Sequence, residues 1–220
     1  MKCIAVLVEG QTEEQFVKKV LFNYLGTKEI FIEPVILKTK VTPQKSYKGG
    51  RISLEKAVKE IKKMLTPKYD IVTTFLDFYG LEKSFIPDNI SSNMPVYEKV
   101  QAVEDNFYKK INNNKFLPYI QIHEFETFLF INPKITAENL LNCNKEEIET
   151  EINDTLEKYN CNPELINDSV LTSPSKRIMS MYPRYQKQLS GAFICSALGI
   201  ENIRKSCRHF SEWINKLENL

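Results

Sequence analysis

Carboxylic acids stand at the ends of three predicted β-strands, and they are the residues of this chain best suited to chemistry. Glu9 follows the first strand, Asp77 follows the third, and Glu124 and Glu126 follow the fourth. Because the carboxyl ends of parallel strands meet at one edge of a sheet, where ligands bind in open α/β folds, we expect these acids to lie together. Carboxylate ligands suit Mg²⁺ or Mn²⁺, and such an ion can activate water and neutralise a phosphoryl group.

Each of these acids also has an ordinary structural explanation. Acidic residues are favourable in the first turn of a helix, so Glu124 and Glu126 could simply begin the helix that follows a strand. His123 precedes them and is either a ligand or, as is commoner, a structural histidine. The HExE spacing at residues 123–126 does not match the HExxH motif of zinc proteases. The recurrence of acids at three strand ends favours the metal site.

Basic residues in two segments are candidates for binding phosphate. Lys176 and Arg177 follow a Ser-Pro-Ser turn at a predicted helix start, where positive charge opposes the helix dipole. That mismatch favours a functional role over a solvated helix start. The loop at residues 38–51 could bind a nucleic-acid backbone or be an ordinary surface loop. We predict that Lys48, Arg51, Lys176 and Arg177 contact nucleic acid.

Strand and helix patterns alternate along the first part of the chain. Predicted strands cover residues 4–8, 29–37, 69–76 and 116–122, and predicted helices lie between them. This alternation predicts an α/β fold with an open, mostly parallel sheet flanked by helices. From residue 133 onward the pattern is helical and more polar. We therefore predict a core at residues 1–132 and a helical C-terminal extension at residues 133–220, packed together as one domain.

Composition places the chain among ordinary globular proteins. Its 220 residues have a formal net charge of +2, so no global basic field points to nucleic acid. Five scattered cysteines without a CxxC pair argue against a disulfide framework and a zinc site. The sequence has no recognisable signal peptide and no apolar run long enough to span a bilayer. It therefore predicts a reduced, cytoplasmic protein without a membrane partner.

Four sequence blocks together resemble a known bacterial family. They are VEGQTE at residues 8–13, LDFYGL at 76–81, QIHEFE at 121–126 and PSKR at 174–177. In this order they resemble the domain-of-unknown-function family 4276, whose proteins are similar to Toprim domains, including those of OLD-type nucleases. The resemblance implies a Toprim-like fold over nearly the whole chain.

The resemblance also implies roles for the acids. Toprim domains place a glutamate after the first strand and a DxD pair after a later one, and these bind Mg²⁺ for phosphodiester chemistry. Glu9 would then be the general acid/base or a metal ligand, and Asp77 the first acid of the pair. Tyr79 stands where the second aspartate would be, so Glu124 or Glu126 would supply the missing carboxylate. Lys176 would be the catalytic lysine found in OLD-type sites.

The expected function is a Mg²⁺- or Mn²⁺-dependent nuclease that cleaves DNA or RNA. Toprim-like proteins of this kind often act in phage defence beside an ATPase partner, and the resemblance extends that expectation here. Two alternatives stay open. One is a non-catalytic effector or regulatory subunit that docks an ATPase, which the tyrosine at position 79 and the nearly neutral charge favour. The other is a hydrolase of small phosphate esters.

Overall fold

Five parallel strands form one sheet in the computed structural model, which describes residues 1–37, 52–167 and 170–220. The strands are β1 (Lys2–Val8), β2 (Ile30–Ile36), β3 (Ile71–Asp77), β4 (Phe116–Leu117) and β5 (Ile120–Gln121). The order is β2-β1-β3, and both β4 and β5 pair with β3. The predicted parallel α/β sheet is confirmed. Pro34 lies in the edge strand β2, where its missing N–H costs least.

The predicted fourth strand is split into β4 and β5. Pro118 lies in the gap between them, and proline has no N–H to donate to a ladder. The side chain of Thr74 bridges the gap instead, because its hydroxyl donates to the carbonyl of Tyr119 (2.7 Å) and accepts from its N–H (2.9 Å). Asp77 and Gln121 are then back in parallel register, so the acids after β5 stay beside the end of β3.

Helices cover both faces of the sheet. The α-helices are α1 (Gln11–Phe16), α2 (Phe22–Gly26), α3 (Leu54–Met64), α4 (Val96–Ile111), α5 (Pro133–Glu138), α6 (Lys145–Lys158), α7 (Pro174–Met181), α8 (Ala192–Leu198), α9 (Ile200–Ser206) and α10 (Arg208–Glu218). Short 3₁₀ helices lie at Phe78–Gly80, Lys83–Phe85, Phe125–Phe130, Pro163–Leu165 and Val170–Thr172. π-helical turns lie at Val17–Leu21, between α1 and α2, and at Lys187–Gly191.

Alternation along β1 divides the core into two layers. Ile4, Val6 and Val8 face a cluster that includes α1, α2 and the helices of the C-terminal extension. Ala5 and Leu7 face a second cluster built on α3 and α4. Successive side chains of a strand point to opposite faces, so an apolar run that is buried on both sides produces this arrangement.

The C-terminal extension contacts the sheet directly. Trp213 on α10 donates from its indole N–H to the hydroxyl of Thr73 on β3 at 2.9 Å. Its ring stacks on Tyr119 with centroids 4.2 Å apart. The extension therefore shares its apolar core with β1 and β3, while the predicted division at residue 132 stays a prediction. Within the described residues, no helix is both long enough and apolar enough to cross a membrane.

Candidate functional site

Five carboxylates converge at the carboxyl edge of the sheet, and we call them the acidic site: Glu9, Glu13, Asp77, Glu124 and Glu126. Glu9 follows β1 and Asp77 ends β3, and these neighbouring strands are in register up to the pair Val8 and Phe75. Glu124 and Glu126 come directly after β5. All four acids that the strand pattern predicted are thus brought together.

Glu13 is the fifth acid, and the start of α1 positions it. Gly10 is the N-cap residue, and its backbone N–H donates to the Glu13 Oε2 atom at 3.0 Å. This contact is the glutamate half of a capping box, which turns the side chain back towards the strand end. Glu13 is only 3% exposed, so the helix start also places a buried charge beside Glu9.

Lys187 is the cation at the centre of the acidic site. Its Nζ atom lies 3.2 Å from Asp77, 3.3 Å from Glu126 and 3.6 Å from Glu13. The side chain keeps 39% of its area exposed, although its ammonium is in contact with three acids. Although burial opposes its charge, the carboxylates of Asp77, Glu126 and Glu13 raise the pKa of Lys187 well above its usual value. The lysine stays charged at every physiological pH.

One lysine does not neutralise five acids, and the pKa values of the acids reflect the excess. Burial and the charge of Glu13 raise the pKa of Glu9 to about 7, although Lys187 and the Asp77 backbone N–H oppose this. Burial raises the pKa of Asp77 well above its usual range, with Glu13, Glu9 and Glu126 adding to the effect against Lys187. Burial also raises the pKa of Glu126. The site therefore takes up protons near neutral pH unless a further cation binds.

Two oxygens of the acidic site, Glu9 Oε2 and Asp77 Oδ1, are buried without a partner among the described residues, and Glu126 Oε2 has only the ion pair with Lys187 at 3.3 Å. Buried polar atoms are nearly always hydrogen-bonded, so unpaired oxygens in a cluster indicate a site that binds something. The other oxygen of Glu126 accepts from the Tyr185 hydroxyl at 3.3 Å. Burial, together with the charge of Glu126, raises the pKa of Tyr185, so its hydroxyl remains a donor.

The donor chemistry of the site suits a hard divalent cation, because all candidate ligands are carboxylate oxygens. As they stand, however, no three acids, histidines or cysteines of the described residues are grouped to hold an ion. The reason is that Asp77, Glu126 and Glu13 are turned towards Lys187. Binding an ion would require some of these carboxylates to rotate away from the lysine.

Two of the four predicted basic residues, Lys176 and Arg177, lie on α7. Lys176 is exposed on α7, whose first turn contacts the acidic site through the Ser175 N–H, a donor to Glu124 Oε2 at 2.9 Å. Arg177 donates to the carbonyl of Thr172 (2.8 Å) and to the hydroxyl of Tyr159 (2.9 Å). Lys48 and Arg51 lie outside the described residues. The roles of these four residues in binding nucleic acid stay predictions.

His123 and Tyr79 lie against each other beside the acids. The Tyr79 backbone N–H donates to the His123 carbonyl at 3.1 Å, and the two rings are tilted with centroids 5.4 Å apart. His123 has a left-handed φ of 61°, which is uncommon for a residue other than glycine. Burial lowers the pKa of His123 to about 4, so its ring is neutral at physiological pH.

Gly80 packs against the Glu9 carboxylate. A Cβ atom at this position would lie 2.5 Å from Glu9 Oε2 and 3.2 Å from its Cδ atom. We predict that Gly80→Ala displaces the Glu9 carboxylate outwards while the fold is kept. Because burial is the main cause of the raised pKa of Glu9, that pKa should fall from about 7 towards its ordinary value of 4.5. A carbon-13 NMR titration of the glutamate carboxyls measures it.

Gly26→Ala is the matched control, since a Cβ atom at the last residue of α2 would meet nothing within 4 Å. It should leave the Glu9 titration unchanged and stabilise the helix by up to about 1 kcal/mol. An unchanged Glu9 pKa in Gly80→Ala would contradict the close packing of Gly80 on this carboxylate.

One family model matches almost the whole chain, from residue 8 to residue 218, under the description "Domain of unknown function (DUF4276)". The chain belongs to the DUF4276 family. The predicted membership is thereby confirmed, and the match includes all five acids of the acidic site and Lys187. Among solved structures, this DUF4276 chain is similar to the C-terminal region of the Burkholderia pseudomallei OLD protein, with 13% identity, a TM-score of 0.46 and 99% of each chain covered. No curated protein matches the sequence.

Glu13 and Lys187 are the site residues that the sequence analysis missed. Glu13 had a detectable signal, because a glutamate three residues after a glycine N-cap can turn back to the cap. Lys187 had no comparable signal. Its segment shows no motif, and even the site acid that is nearest to it in sequence lies in another structural element.

Proposed function

We propose that this DUF4276 protein is a Mg²⁺- or Mn²⁺-dependent nuclease that hydrolyses phosphodiester bonds of DNA or RNA. The observation that supports the proposal is the acidic site: five carboxylates lie at the edge of a parallel sheet, three of them contact one lysine, and two buried oxygens have no partner among the described residues. Such an excess of negative charge is costly unless a cation or protons compensate it. The need to bind a catalytic cation would explain why a nuclease keeps this excess of negative charge.

Glu9 and Asp77 would hold the ion, because each has a buried oxygen without a partner in the described part of the chain, and Glu126 would exchange its contact with Lys187 for the ion. Glu124 lies close enough to influence the charge of Glu9 and would complete the set. When bound, the ion would lower the pKa of a water molecule and neutralise charge that develops on the phosphate. This assignment takes up the predicted replacement of the second Toprim aspartate by a later glutamate.

The chain's own residues would supply the remaining steps. Glu9 would either bind the ion or, as the general acid/base, accept a proton from the attacking water and return it later. Lys187 stays protonated, so its ammonium would stabilise the negative charge on the scissile phosphate. Lys187 therefore takes the catalytic role that the resemblance assigned to Lys176, and Lys176 would bind a neighbouring phosphate from α7.

The finer parts of the expected function belong to the same proposal. A Toprim relationship is supported by the order of the acids along a parallel sheet, with Glu9 after β1 and Asp77 after β3. A role in phage defence beside an ATPase partner rests on the resemblance of the four sequence blocks alone. A co-purification of the chain with the proteins of its host would identify such a partner.

A non-catalytic effector that docks an ATPase is the second candidate. Two observations favour it: no ready-made group of three metal ligands exists among the described residues, and exposed apolar side chains surround a cleft of about 390 Å³ on the extension. Leu141, Leu189 and Phe193 line this cleft, with 73%, 71% and 59% of their areas exposed. Exposed apolar residues in a group are typical of protein contacts.

A cleavage assay separates the two candidates. We expect the wild-type protein to cut supercoiled plasmid, single-stranded DNA or RNA in millimolar Mg²⁺ or Mn²⁺ and to be inactive in EDTA. Glu9→Gln should lose this activity, because the amide can neither accept the proton nor bind the ion with a charge. Glu33→Gln is the control, since Glu33 pairs with Lys68 at 2.6 Å on the edge strand away from the site.

The outcome decides between the proposals directly. Equal behaviour of wild type, Glu9→Gln and Glu33→Gln on every polynucleotide would sink the nuclease proposal. Turnover of a small phosphate ester without cleavage of any polynucleotide would support a small-ester hydrolase instead.

A further inference from the structure

A cleft of about 370 Å³ lies beside the acidic site, and we call it the Tyr79 cleft. Its wall is the segment that directly follows Asp77, so the cleft and the acidic site share the turn at Phe78–Gly80. The aromatic rings of Phe78 and Tyr79 and the lysines Lys83 and Lys99 line it. No acid is found among its described lining residues, although five acids surround the adjoining site. The charge thus changes sign over one turn of chain.

Tyr79 is held in a defined place between the cleft and the acids. Its backbone N–H is bonded to the His123 carbonyl, and its ring leans on the buried His123 ring. Burial and the charge of Glu124 raise the pKa of Tyr79 to about 12, so the ring presents a neutral hydroxyl at physiological pH. A half-buried ring with a fixed backbone is a suitable surface for stacking, because little side-chain freedom is lost when a ligand binds.

The two lysines of the lining supply positive charge to the cleft. Lys99 on α4 donates from its Nζ atom to the carbonyl of Ser92 at 2.6 Å, which holds it over the loop before α4. Lys83 lies exposed in the short helix Lys83–Phe85. Ser91 and Ser92 also line the cleft. Cations, serines and aromatic rings in one lining match a ligand that has both a phosphate and a planar base.

We propose that the Tyr79 cleft binds one nucleotide of a single-stranded nucleic acid, with its base on Tyr79 and Phe78 and a phosphate at Lys83 and Lys99. This inference rests on the proposed function and specifies its substrate, because the shared turn would place the neighbouring phosphodiester over the acidic site. A single strand is required, since a base in a duplex is already stacked and paired. Tyr79, which replaces the expected acid, is then a substrate-binding residue.

The test measures binding apart from cleavage. A short fluorescein-labelled oligothymidylate is titrated with the Asp77→Asn protein, and fluorescence anisotropy gives the dissociation constant while a gel checks that the probe stays intact. In this background, Tyr79→Ala should weaken binding roughly 5- to 150-fold, the effect of losing one stacked base. Tyr79→Phe should bind like its parent, because the ring is kept. A duplex of the same length should bind weakly and without dependence on Tyr79.

The contribution of the two lysines is measured separately, through the salt dependence of the binding affinity. Lys83→Ala and Lys99→Ala should each reduce the slope of log affinity against log salt by about 0.7, the value for one phosphate contact on a single strand. Lys145→Ala is the matched control for Lys99→Ala, since Lys145 also donates to a backbone carbonyl seven residues earlier (Glu138, 3.3 Å) but on the extension. Tyr108→Ala controls for Tyr79→Ala, because Tyr108 is a partly exposed tyrosine on the outside of α4.

Failure of the inference is distinguishable from failure of the proposed function. Equal affinity of Tyr79→Ala and its parent, or a preference for the duplex, would overturn the Tyr79 cleft even if the wild-type protein cleaves nucleic acid. Tyr79-dependent binding of the single strand by a wild-type protein that never cleaves would instead remove the nuclease proposal and keep the cleft.

Discussion

Lys187→Met is expected to destabilise the protein by about 2–3 kcal/mol at pH 8, measured by urea unfolding. Removing one partner of a fully buried pair costs about 3–5 kcal/mol. Because 39% of the Lys187 side chain is exposed, the expected loss of stability is smaller than this. Without the ammonium, Asp77, Glu126 and Glu13 face each other uncompensated. Cleavage should also fall roughly 10²- to 10³-fold, because the cation near the scissile phosphate is lost.

The loss of stability in Lys187→Met should depend on pH. The acids of the site have raised pKa values in the folded protein, so the folded state binds more protons than the unfolded state between the ordinary and the raised values. For Glu9 this interval runs from about 4.5 to about 7. Stability therefore falls as the pH rises through it, and the defect of Lys187→Met should shrink at pH 5. Millimolar Mg²⁺ should restore part of the stability at pH 8.

Lys18→Met provides the comparison, since Lys18 forms an exposed pair with Glu14 at 2.6 Å along one helix. It should have a much smaller effect, without dependence on Mg²⁺. If Lys187→Met were as stable as Lys18→Met at pH 8, the acids could not depend on this lysine for their charge balance.

Asp77→Asn is expected to have the opposite effect on stability and the largest effect on activity. It should reduce cleavage at least about 10³-fold, because the ion is worth several kcal/mol of charge stabilisation and 1.36 kcal/mol is tenfold in rate. The unfolding free energy at pH 8 should rise, since one of five repelling acids is removed while Lys187 keeps Glu126 and Glu13. Calorimetry should show that Mg²⁺ binding is lost.

Asp70→Asn is the matched control, because Asp70 immediately precedes the same strand, β3, at its amino end. There its carboxylate accepts from the Cys3 backbone N–H at 2.7 Å, so this substitution should lower stability and leave Mg²⁺ binding unchanged. Retained Mg²⁺ affinity in Asp77→Asn would show that the acidic site is not the metal site.

The sheet and the acids at its edge could be predicted because both depend on local sequence. An apolar run that ends in an acid marks a buried strand and its terminus, and parallel pairing then places Glu9, Asp77 and Glu124 at one edge whatever the details of packing. The split of the fourth strand at Pro118 also had a local cause. The local sequence could not predict that the Thr74 hydroxyl replaces backbone hydrogen bonds of the sheet at this point.

The centre of the site depends on contacts that no local pattern encodes. Lys187 reaches Asp77 only because the C-terminal extension packs on β1, α1 and the segment Phe125–Phe130. Lys176 was the more attractive lysine because it follows a recognisable turn, but a motif in sequence does not determine which side chain points inwards. Glu13 belongs to the block at residues 8–13, but a glutamate that caps a helix gives no local sign that it is also a site acid.

Lys187 is 110 residues beyond Asp77, so the ribosome adds it well after the acids at the ends of β1 and β3. The strands that hold Glu9 and Asp77 leave the ribosome first, and at about 5–20 residues per second the lysine is added roughly 5–20 s later. Until then Lys187 is not there to contact the acids, and no complete site exists. A nascent chain that ends before Lys187 therefore contains the acids of the acidic site without the cation that balances them.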